Sequence, residues 1–202
     1  VLQTAQAPEE TDEEDGLSAF RNPKPSRIVY EEGVYVGYRY YETFGVQPAY
    51  EFGFGLSYAS FEYGNLNLSS KELADKIAAT VEVKNKGKTA GREVVQLYVS
   101  APPGKLDKPA LELKGFAKTR LLEPGESQTV SFDVTPRDLA SFDSASSSWR
   151  AEAGKYAIKI GASSRDIRQT AAVELASERI VKKESAALVP KTPIHELKPP
   201  RR

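Results

Sequence analysis

The sequence predicts a mainly β protein built around an antiparallel sandwich of seven strands. Apolar and polar residues alternate in several separate runs, which is the pattern of a strand with one buried face. Turn-forming residues such as Gly, Pro and Asn interrupt these runs at regular intervals, and helical periodicity is almost absent. Two stacked sheets would bury the apolar faces of all seven strands at once.

The first 27 residues stand apart from this pattern. They contain the acidic run Glu9–Asp15, which repels itself and offers no apolar residues to bury. We therefore expect residues 1–27 to form an acidic, disordered loop. The chain starts at Val1 and contains no Met, so we also expect it to be a processed product or a fragment.

Residues 28–60 are exceptionally aromatic. Residues 28–63 hold 12 of the 19 aromatic side chains, with Gly interleaved among them. The composition of Ile28–Tyr30 and Val34–Tyr41 predicts strand, and Phe52–Tyr58 is typical of a tight connector. So many rings are hard to bury within 36 residues. We expect part of their packing surface to lie outside this chain.

Residues 61–177 carry the regular alternation and form the predicted sandwich. A short helix is expected near Pro136–Leu139, Phe132 is expected in the core, and Trp149 is expected as a core plug. The predicted strands cover Phe61–Ser69, Ile77–Lys84, Val95–Val99, Leu111–Leu122, Val130–Val134, Tyr156–Ile160 and Ala171–Leu175.

Residues 178–202 lose the alternation, and we expect an extended tail along a neighbouring surface. They contain four prolines and are rich in basic residues. The single histidine, His195, lies in this tail and is expected to be exposed to solvent.

Composition excludes several functions. Because 28 basic residues balance 28 acidic ones, a dedicated nucleic-acid binder is not expected. The absence of Cys excludes disulfides and thiolate zinc sites, and one His leaves no His-rich metal centre. No apolar run approaches the ~20 residues of a membrane-spanning helix. We therefore expect no metal, no cofactor, no nucleic acid and no membrane partner.

No residue is predicted to be catalytic. Paired carboxylates would be the first candidates for glycosidic chemistry. However, the acidic residues that stand out lie in no motif that assigns them a role: Glu31, Glu32, Asp107, Asp138 and Asp143. Gly53-Phe54-Gly55 lacks the following Lys-Ser/Thr and helix of a phosphate-binding loop, so we interpret it as a hinge between rings.

Several strings in order resemble the C-terminal region of glycoside hydrolase family 3, the β-glucosidase and β-xylosidase family. The resemblance covers about residues 25–197. It rests on Tyr30–Tyr41, Phe52–Tyr58, Leu113-Lys114-Gly115-Phe116, Leu122–Ser127, Trp149, Gly154-Lys155-Tyr156 and Ile160–Ile167.

The resemblance implies an architecture. Residues 61–177 would be a fibronectin type III-like domain. Residues 28–60 would be the last strand or strands of a preceding α/β sandwich domain plus its linker. Gly154-Lys155-Tyr156 is similar to the tyrosine corner of such sandwiches.

The resemblance also implies a function. The chain would be the C-terminal, non-catalytic part of a retaining β-glycosidase that hydrolyses terminal non-reducing β-D-glycosidic bonds. The family's catalytic Asp and Glu lie upstream of the matching region, so no catalytic residue is transferred here. Whether this chain is itself an enzyme stays open. A periplasmic or secreted location is favoured over a cytoplasmic one.

The implied partners are the N-terminal catalytic domains, and the implied substrate is a β-glucoside or β-xyloside bound by those domains. The residues expected to pack against them are Tyr38, Arg39, Tyr40, Tyr41 and Phe54. Residues 1–27 or 101–110 would be the loops able to reach the rim of the active site.

Two alternatives remain. The sandwich could be an independent carbohydrate-binding or adhesion module, in which case Tyr98 or Trp149 would contact sugar. The chain could also be an independent enzyme, although its residue inventory argues against this.

Overall fold

The structure is a computed structural model that describes residues 28–187 and 193–199. The predicted loop over residues 1–27 therefore lies outside the described residues. The elements are, in chain order, α1 (Tyr38–Phe44), β1 (Phe61–Tyr63), β2 (Asn67–Leu68), β3 (Ile77–Asn85), β4 (Val94–Ser100), β5 (Glu112–Lys118), β6 (Ser127–Val134), α2 (Pro136–Leu139), β7 (Ser141–Asp143), β8 (Ser148–Ala151), β9 (Gly154–Gly161), β10 (Ile167–Leu175) and β11 (Arg179–Lys183).

Two antiparallel four-stranded sheets form the sandwich. In the first sheet, β3 is central, with β6 along one side and the short strands β1 and β2 along the other. The second sheet has the order β10-β9-β4-β5. This arrangement confirms the predicted antiparallel sandwich, although its two sheets contain eight strands rather than seven, because the predicted strand Phe61–Ser69 is divided into β1 and β2.

The core lies between these two sheets and follows the alternation of the sequence. Ile77, Ala79, Val81 and Val83 face inward from β3, and every second residue of β4 and β9 meets them. Phe132, which was expected in the core, is half-buried and packs against it. Burial of this continuous apolar layer is the main stabilising contribution to such a fold.

A tight turn precedes β6. Glu123-Pro124-Gly125-Glu126 closes with a hydrogen bond from the Glu126 N–H to the Glu123 carbonyl oxygen, 2.9 Å long. Gly125 has a φ of 86°, which only glycine adopts without strain. Helix α2 begins after Thr135, whose N–H and hydroxyl both donate to Asp138 Oδ2 at 2.8 Å. Asp138 therefore caps a helix.

The prediction of strand in residues 28–60 is wrong, because these residues contain a helix and no strand. Gly37 turns the chain just before α1 with a φ of 57°. Gly45 ends the helix with a φ of 68°, and the N–H groups of Gly45 and Val46 both donate to the Tyr41 carbonyl oxygen. The preference of aromatic residues for strands depends on pairing with a neighbouring strand, and no strand of the described residues pairs with residues 28–60.

Sequence reasoning missed a third sheet, with the order β11-β8-β7. Its strands are only three to five residues long and rich in Ser, Lys and Arg, so they show no apolar alternation. Residues 179–183 belong to β11, which corrects the prediction of an extended tail from residue 178 onward. The predicted strand Phe61–Ser69 is likewise interrupted, since β1 and β2 pair with β3 separately on either side of Gly64.

Candidate functional site

Residues 28–60, here called the aromatic segment, pack on the outer face of the second sheet. The ring of Tyr38 on α1 meets the ring of Tyr98 on β4 edge-on, with centroids 6.1 Å apart. Phe52 stacks on Tyr38, with ring centroids 4.9 Å apart. Tyr98 points away from the core and yet has no exposed surface. The aromatic segment therefore covers part of the sandwich rather than standing away from it.

Arg165, in the connection between β9 and β10, anchors one end of this contact. Its Nε donates to Glu42 Oε1 at 2.8 Å, and a terminal nitrogen donates to the Val46 carbonyl oxygen at 2.8 Å. The other terminal nitrogen bonds to Gln47 Oε1. Because the planar guanidinium donates to three acceptors, it fixes both the distance and the orientation of residues 42–47 relative to Arg165. Arg165 thereby holds the end of α1 and the residues that follow it.

Backbone groups of the sandwich add further anchoring points. The N–H of Ala110 donates to Thr43 Oγ1 at 3.0 Å, and the N–H of Leu113 donates to the Tyr38 hydroxyl at 2.8 Å. The N–H of Ser164 donates to the Phe52 carbonyl oxygen at 2.9 Å. These contacts satisfy backbone groups that the sheet itself leaves unpaired at its edge and loop.

Many other residues of the aromatic segment are exposed. Leu56 and Tyr58 are 93% and 97% exposed, so they have almost no contacts within the described residues. Other large apolar residues of the segment also face outward: Ile28, Val29, Tyr30, Val34, Val36, Tyr50, Phe52 and Phe54. A single exposed apolar side chain is ordinary, but so many in one segment indicate an interaction surface.

The five expected packing residues divide between the sandwich and the surface. Tyr38 packs on Tyr98, and Arg39 faces Glu112 of β5 with 3.8 Å between Nε and Oε1. Tyr40 is half-buried and stacks on Phe44 at 4.7 Å. Tyr41 and Phe54 are exposed. Tyr38 and Arg39 thus already have partners in this chain.

Residues 101–110, expected as a loop near an active site, are held firmly by one carboxylate. Glu152 accepts hydrogen bonds from the Lys105 N–H at 2.7 Å and from Lys108 Nζ at 2.5 Å. Lys108 and Glu152 are almost completely buried, and the Lys108 amine lies 5.9 Å from the centre of the Tyr156 ring. Burial raises the pKa of Glu152, but these hydrogen bonds outweigh it and hold the pKa below its usual value.

The two residues proposed to contact sugar lie in different environments. Tyr98 is fully buried, its hydroxyl bonds to Gln96, and burial raises its pKa. It therefore cannot stack against a ligand. Trp149 is 40% exposed on β8, beside the ring of Phe142 at 5.5 Å. Trp149 is thus not a core plug: Phe142 opposes it on β7, and both rings are exposed.

Two surface clefts among the described residues, of about 430 and 470 Å³, are each lined by one carboxylate rather than a pair: Glu42 and Glu174 respectively. Glu42 is already bound by Arg165. Retaining hydrolysis needs two carboxyl groups about 5–5.5 Å apart in one cleft.

Asp143, another acidic candidate, is held by hydrogen bonds to neighbouring residues. Asp143 accepts hydrogen bonds from the Ser146 hydroxyl, the Ala145 N–H and Arg150, and these hold its pKa below the usual value. Sequence reasoning missed Glu93, whose pKa is raised by burial and which accepts a hydrogen bond from the Val94 N–H at 2.7 Å. No sequence pattern marks Glu93, because its burial depends on the fold.

The described residues offer no group of three or more His, Asp or Glu side chains that could hold a metal ion. His195 is exposed, as expected. Among the helices of residues 28–187 and 193–199, none is both long and apolar enough to span a membrane.

Comparison with known proteins identifies the sandwich. Residues 93–164 match the fibronectin type III-like domain family. The chain is 46% identical over 143 residues to thermostable β-glucosidase B of Acetivibrio thermocellus, covering 70% of this chain and 19% of that protein. It is also 46% identical over 150 residues to an exo-α-(1→6)-L-arabinopyranosidase of Bifidobacterium longum, covering 73% of this chain and 19% of that protein.

The solved structures agree. β-Glucosidase 3B of Thermotoga neapolitana, in complex with α-D-glucose, superposes with a TM-score of 0.72 at 52% identity, covering 77% of this chain and 21% of that one. The chain thus spans about a fifth of the length of these relatives. Its sequence identity and structural match show that the chain belongs to glycoside hydrolase family 3, as a C-terminal part of such a protein, with residues 93–164 in the fibronectin type III-like domain.

Proposed function

We propose that this chain is the non-catalytic C-terminal part of a retaining β-glycosidase of the β-glucosidase type and that it stabilises the catalytic domains. The observation that carries the proposal is the aromatic segment, anchored to the sandwich on one side and exposed on the other. The enzyme would hydrolyse terminal non-reducing β-D-glycosidic bonds of a β-glucoside or β-xyloside, bound by domains N-terminal to this region.

The anchoring supports a rigid connection. Arg165, Ser164 and Leu113 bind the aromatic segment through polar contacts of defined geometry. Segment and sandwich would therefore move together. We propose that residues 28–60 complete the preceding α/β domain, so that this contact positions the sandwich on that domain.

The exposed side supports a seam with further polypeptide. Covering Leu56 and Tyr58 would remove two nearly fully exposed side chains from water, which contributes on the order of 3–6 kcal/mol. Tyr41 and Phe54 would add to the same seam. Tyr38 and Arg39 would lie between this interface and the second sheet, because they already contact Tyr98 and Glu112.

The comparisons support a structural rather than a specificity-determining role. Relatives named as a β-glucosidase and as an exo-α-(1→6)-L-arabinopyranosidase share this region at equal identity. A region common to enzymes with different sugars is poorly suited to choose between those sugars. The choice would lie in the catalytic domains.

An activity assay tests this proposal. The chain alone should not hydrolyse an aryl β-glucoside, whereas a longer polypeptide in which it follows the family's catalytic domains should. Turnover by the chain alone that Glu93→Gln or Glu42→Gln abolishes would contradict the proposal. A longer polypeptide that folds but hydrolyses no aryl β-glycoside would contradict the assigned activity.

A second candidate function rests on the exposed pair Trp149 and Phe142. Flat rings beside polar groups can stack against sugars, so the sandwich would then be an independent carbohydrate-binding module. Calorimetric titration of the chain with soluble β-glucans distinguishes the two functions. Binding that Trp149→Ala removes, while Tyr58→Ala leaves it intact, would favour the second candidate.

A further inference from the structure

Residues 193–199, here called the strap, lie against two distant parts of the chain. The N–H of Leu197 donates a hydrogen bond to the Glu31 carbonyl oxygen at 2.7 Å. Lys198 Nζ lies 2.5 Å from Asp107 Oδ2 in the loop 101–110. The Glu196 carboxyl group lies about 3.9 Å from where a Cβ would stand at Gly33. The strap thus contacts the start of the aromatic segment and a loop of the sandwich.

Tyr35 lies at the junction of these three parts. It is buried, although most of its neighbours in sequence are exposed, and its ring meets Phe44 edge-on at 5.5 Å. Burial raises the pKa of the Tyr35 hydroxyl to about 12, and the charges of Asp107 and Glu196 act in the same direction. Both carboxylates therefore lie near Tyr35, one from the loop and one from the strap.

The loop that receives the strap is itself fixed. Glu152 binds the Lys105 N–H and the Lys108 amine, and this buried pair holds residues 101–110 against the sandwich. An ion pair to a mobile loop would restrict the strap little. Because the loop 101–110 is fixed to the sandwich, the ion pair between Lys198 and Asp107 also fixes the strap relative to the sandwich. Asp107 is therefore an effective attachment point.

The sandwich holds the aromatic segment between Tyr38 and Phe52, with Arg165 binding residues 42–47. The strap reaches Glu31, on the N-terminal side of these contacts. An attachment at Glu31 restricts how the residues before Tyr38 can pivot, and so fixes the direction of the start of the segment.

We propose that residues 193–199 act as a strap that ties the start of the aromatic segment to the loop 101–110 and thereby fixes where the polypeptide N-terminal to Ile28 leaves the sandwich. The contacts lie within this chain, so the strap does not depend on the activity proposed above. If that activity holds, the strap sets the orientation of the catalytic domains relative to the sandwich.

Amide hydrogen exchange on the full chain tests the strap. Lys198→Glu replaces the ion pair with Asp107 by a repulsion. Lys182→Glu is the matched control, because its side chain has the same 63% exposure and also pairs with a carboxylate. We expect Lys198→Glu to accelerate exchange of the Tyr35 N–H about tenfold, with Val46 and the β9 amides unchanged. Equal rates at Tyr35 in the two variants would overturn the proposal.

A charge exchange provides the second test. Asp107→Lys should accelerate exchange at Tyr35 as Lys198→Glu does, and the double variant Asp107→Lys with Lys198→Glu should restore slow exchange. If the double variant exchanges as fast as either single variant, the proposed role of the strap is wrong.

Discussion

The Tyr156 hydroxyl donates a hydrogen bond to the backbone carbonyl oxygen of Glu152, 2.8 Å away and shielded from water. Tyr156 lies near the start of β9, and its ring belongs to the core. This is the tyrosine corner expected from the string Gly154-Lys155-Tyr156. The bond ties the turn between β8 and β9 to the interior. Glu152 also clamps the loop 101–110, so one residue supports two features.

Removing this hydroxyl should destabilise the fold. Tyr156→Phe leaves the ring in place but removes the donor to a buried carbonyl, which costs about 1–3 kcal/mol. Urea unfolding followed by tyrosine fluorescence measures the difference. Tyr58→Phe is the control, since its ring is almost fully exposed and the expected change is below about 0.5 kcal/mol. Equal stability of the two variants would contradict the role assigned to Tyr156.

Alkaline pH should weaken the fold through the same residue. Burial raises the pKa of Tyr156 to about 12 from an ordinary 10, so the folded state favours the neutral hydroxyl. Its contribution is complete below pH 10 and is lost as the pH rises through about 12. Urea midpoints should therefore fall across this interval and fall less steeply in Tyr156→Phe. The same slope in both proteins would show that Tyr156 does not titrate in this way.

Breaking the buried ion pair between Lys108 and Glu152 should lower the free energy of unfolding more than breaking a surface ion pair. Lys108→Met removes the cation and leaves a buried carboxylate, which costs about 3–5 kcal/mol. Lys105→Met is the control in the same loop, because Lys105 reaches Glu152 through its backbone N–H, which the substitution keeps. The two variants are compared by urea unfolding. If the two variants lose similar amounts of unfolding free energy, the amine of Lys108 makes no specific contribution to stability.

Arg165 should decide whether α1 stays on the sandwich. Arg165→Ala removes three hydrogen bonds to the aromatic segment, and Arg165→Lys keeps the charge but not the forked geometry. Both should accelerate amide exchange in α1 by about tenfold or more, with β3 and β9 unaffected. Arg179→Ala is the control, since its pair with the nearly fully exposed Asp75 contributes little. Slow exchange of α1 in Arg165→Ala would rule out the anchoring role.

The sandwich could be predicted from the sequence because its strands have one buried face. Ile77 to Val83 and Tyr156 to Ile160 alternate cleanly, and the core follows that alternation. The turn at Gly125 was predictable for a local reason, since a positive φ favours glycine. These features depend on residues close together in the chain.

Features that depend on tertiary contacts could not be predicted. Tyr98 has an outward position on β4, and only the aromatic segment above it makes it buried. Helix α1 has strand-like residues, but it packs on the second sheet without pairing with any strand of the described residues. The anchoring by Arg165 joins residues about 120 positions apart, and no periodicity reports such a pair.

The central claim is that the exposed side of the aromatic segment is covered by further polypeptide. The double variant Leu56→Asp with Tyr58→Asp places two charges on that side. In this chain alone it should change the free energy of unfolding by less than about 0.5 kcal/mol, because both side chains are exposed. Phe116→Asp, at an exposed ring on β5, is the control outside the segment.

The deciding measurement is the half-life of β-glucosidase activity at elevated temperature, made on the longer polypeptide in which this chain follows the catalytic domains. We predict that the Leu56→Asp, Tyr58→Asp variant loses activity at least tenfold faster than the wild type, while Phe116→Asp does not. If the double variant and the wild type of the longer polypeptide have the same half-life of activity, the exposed side of the aromatic segment is not covered by further polypeptide, and the central claim is contradicted.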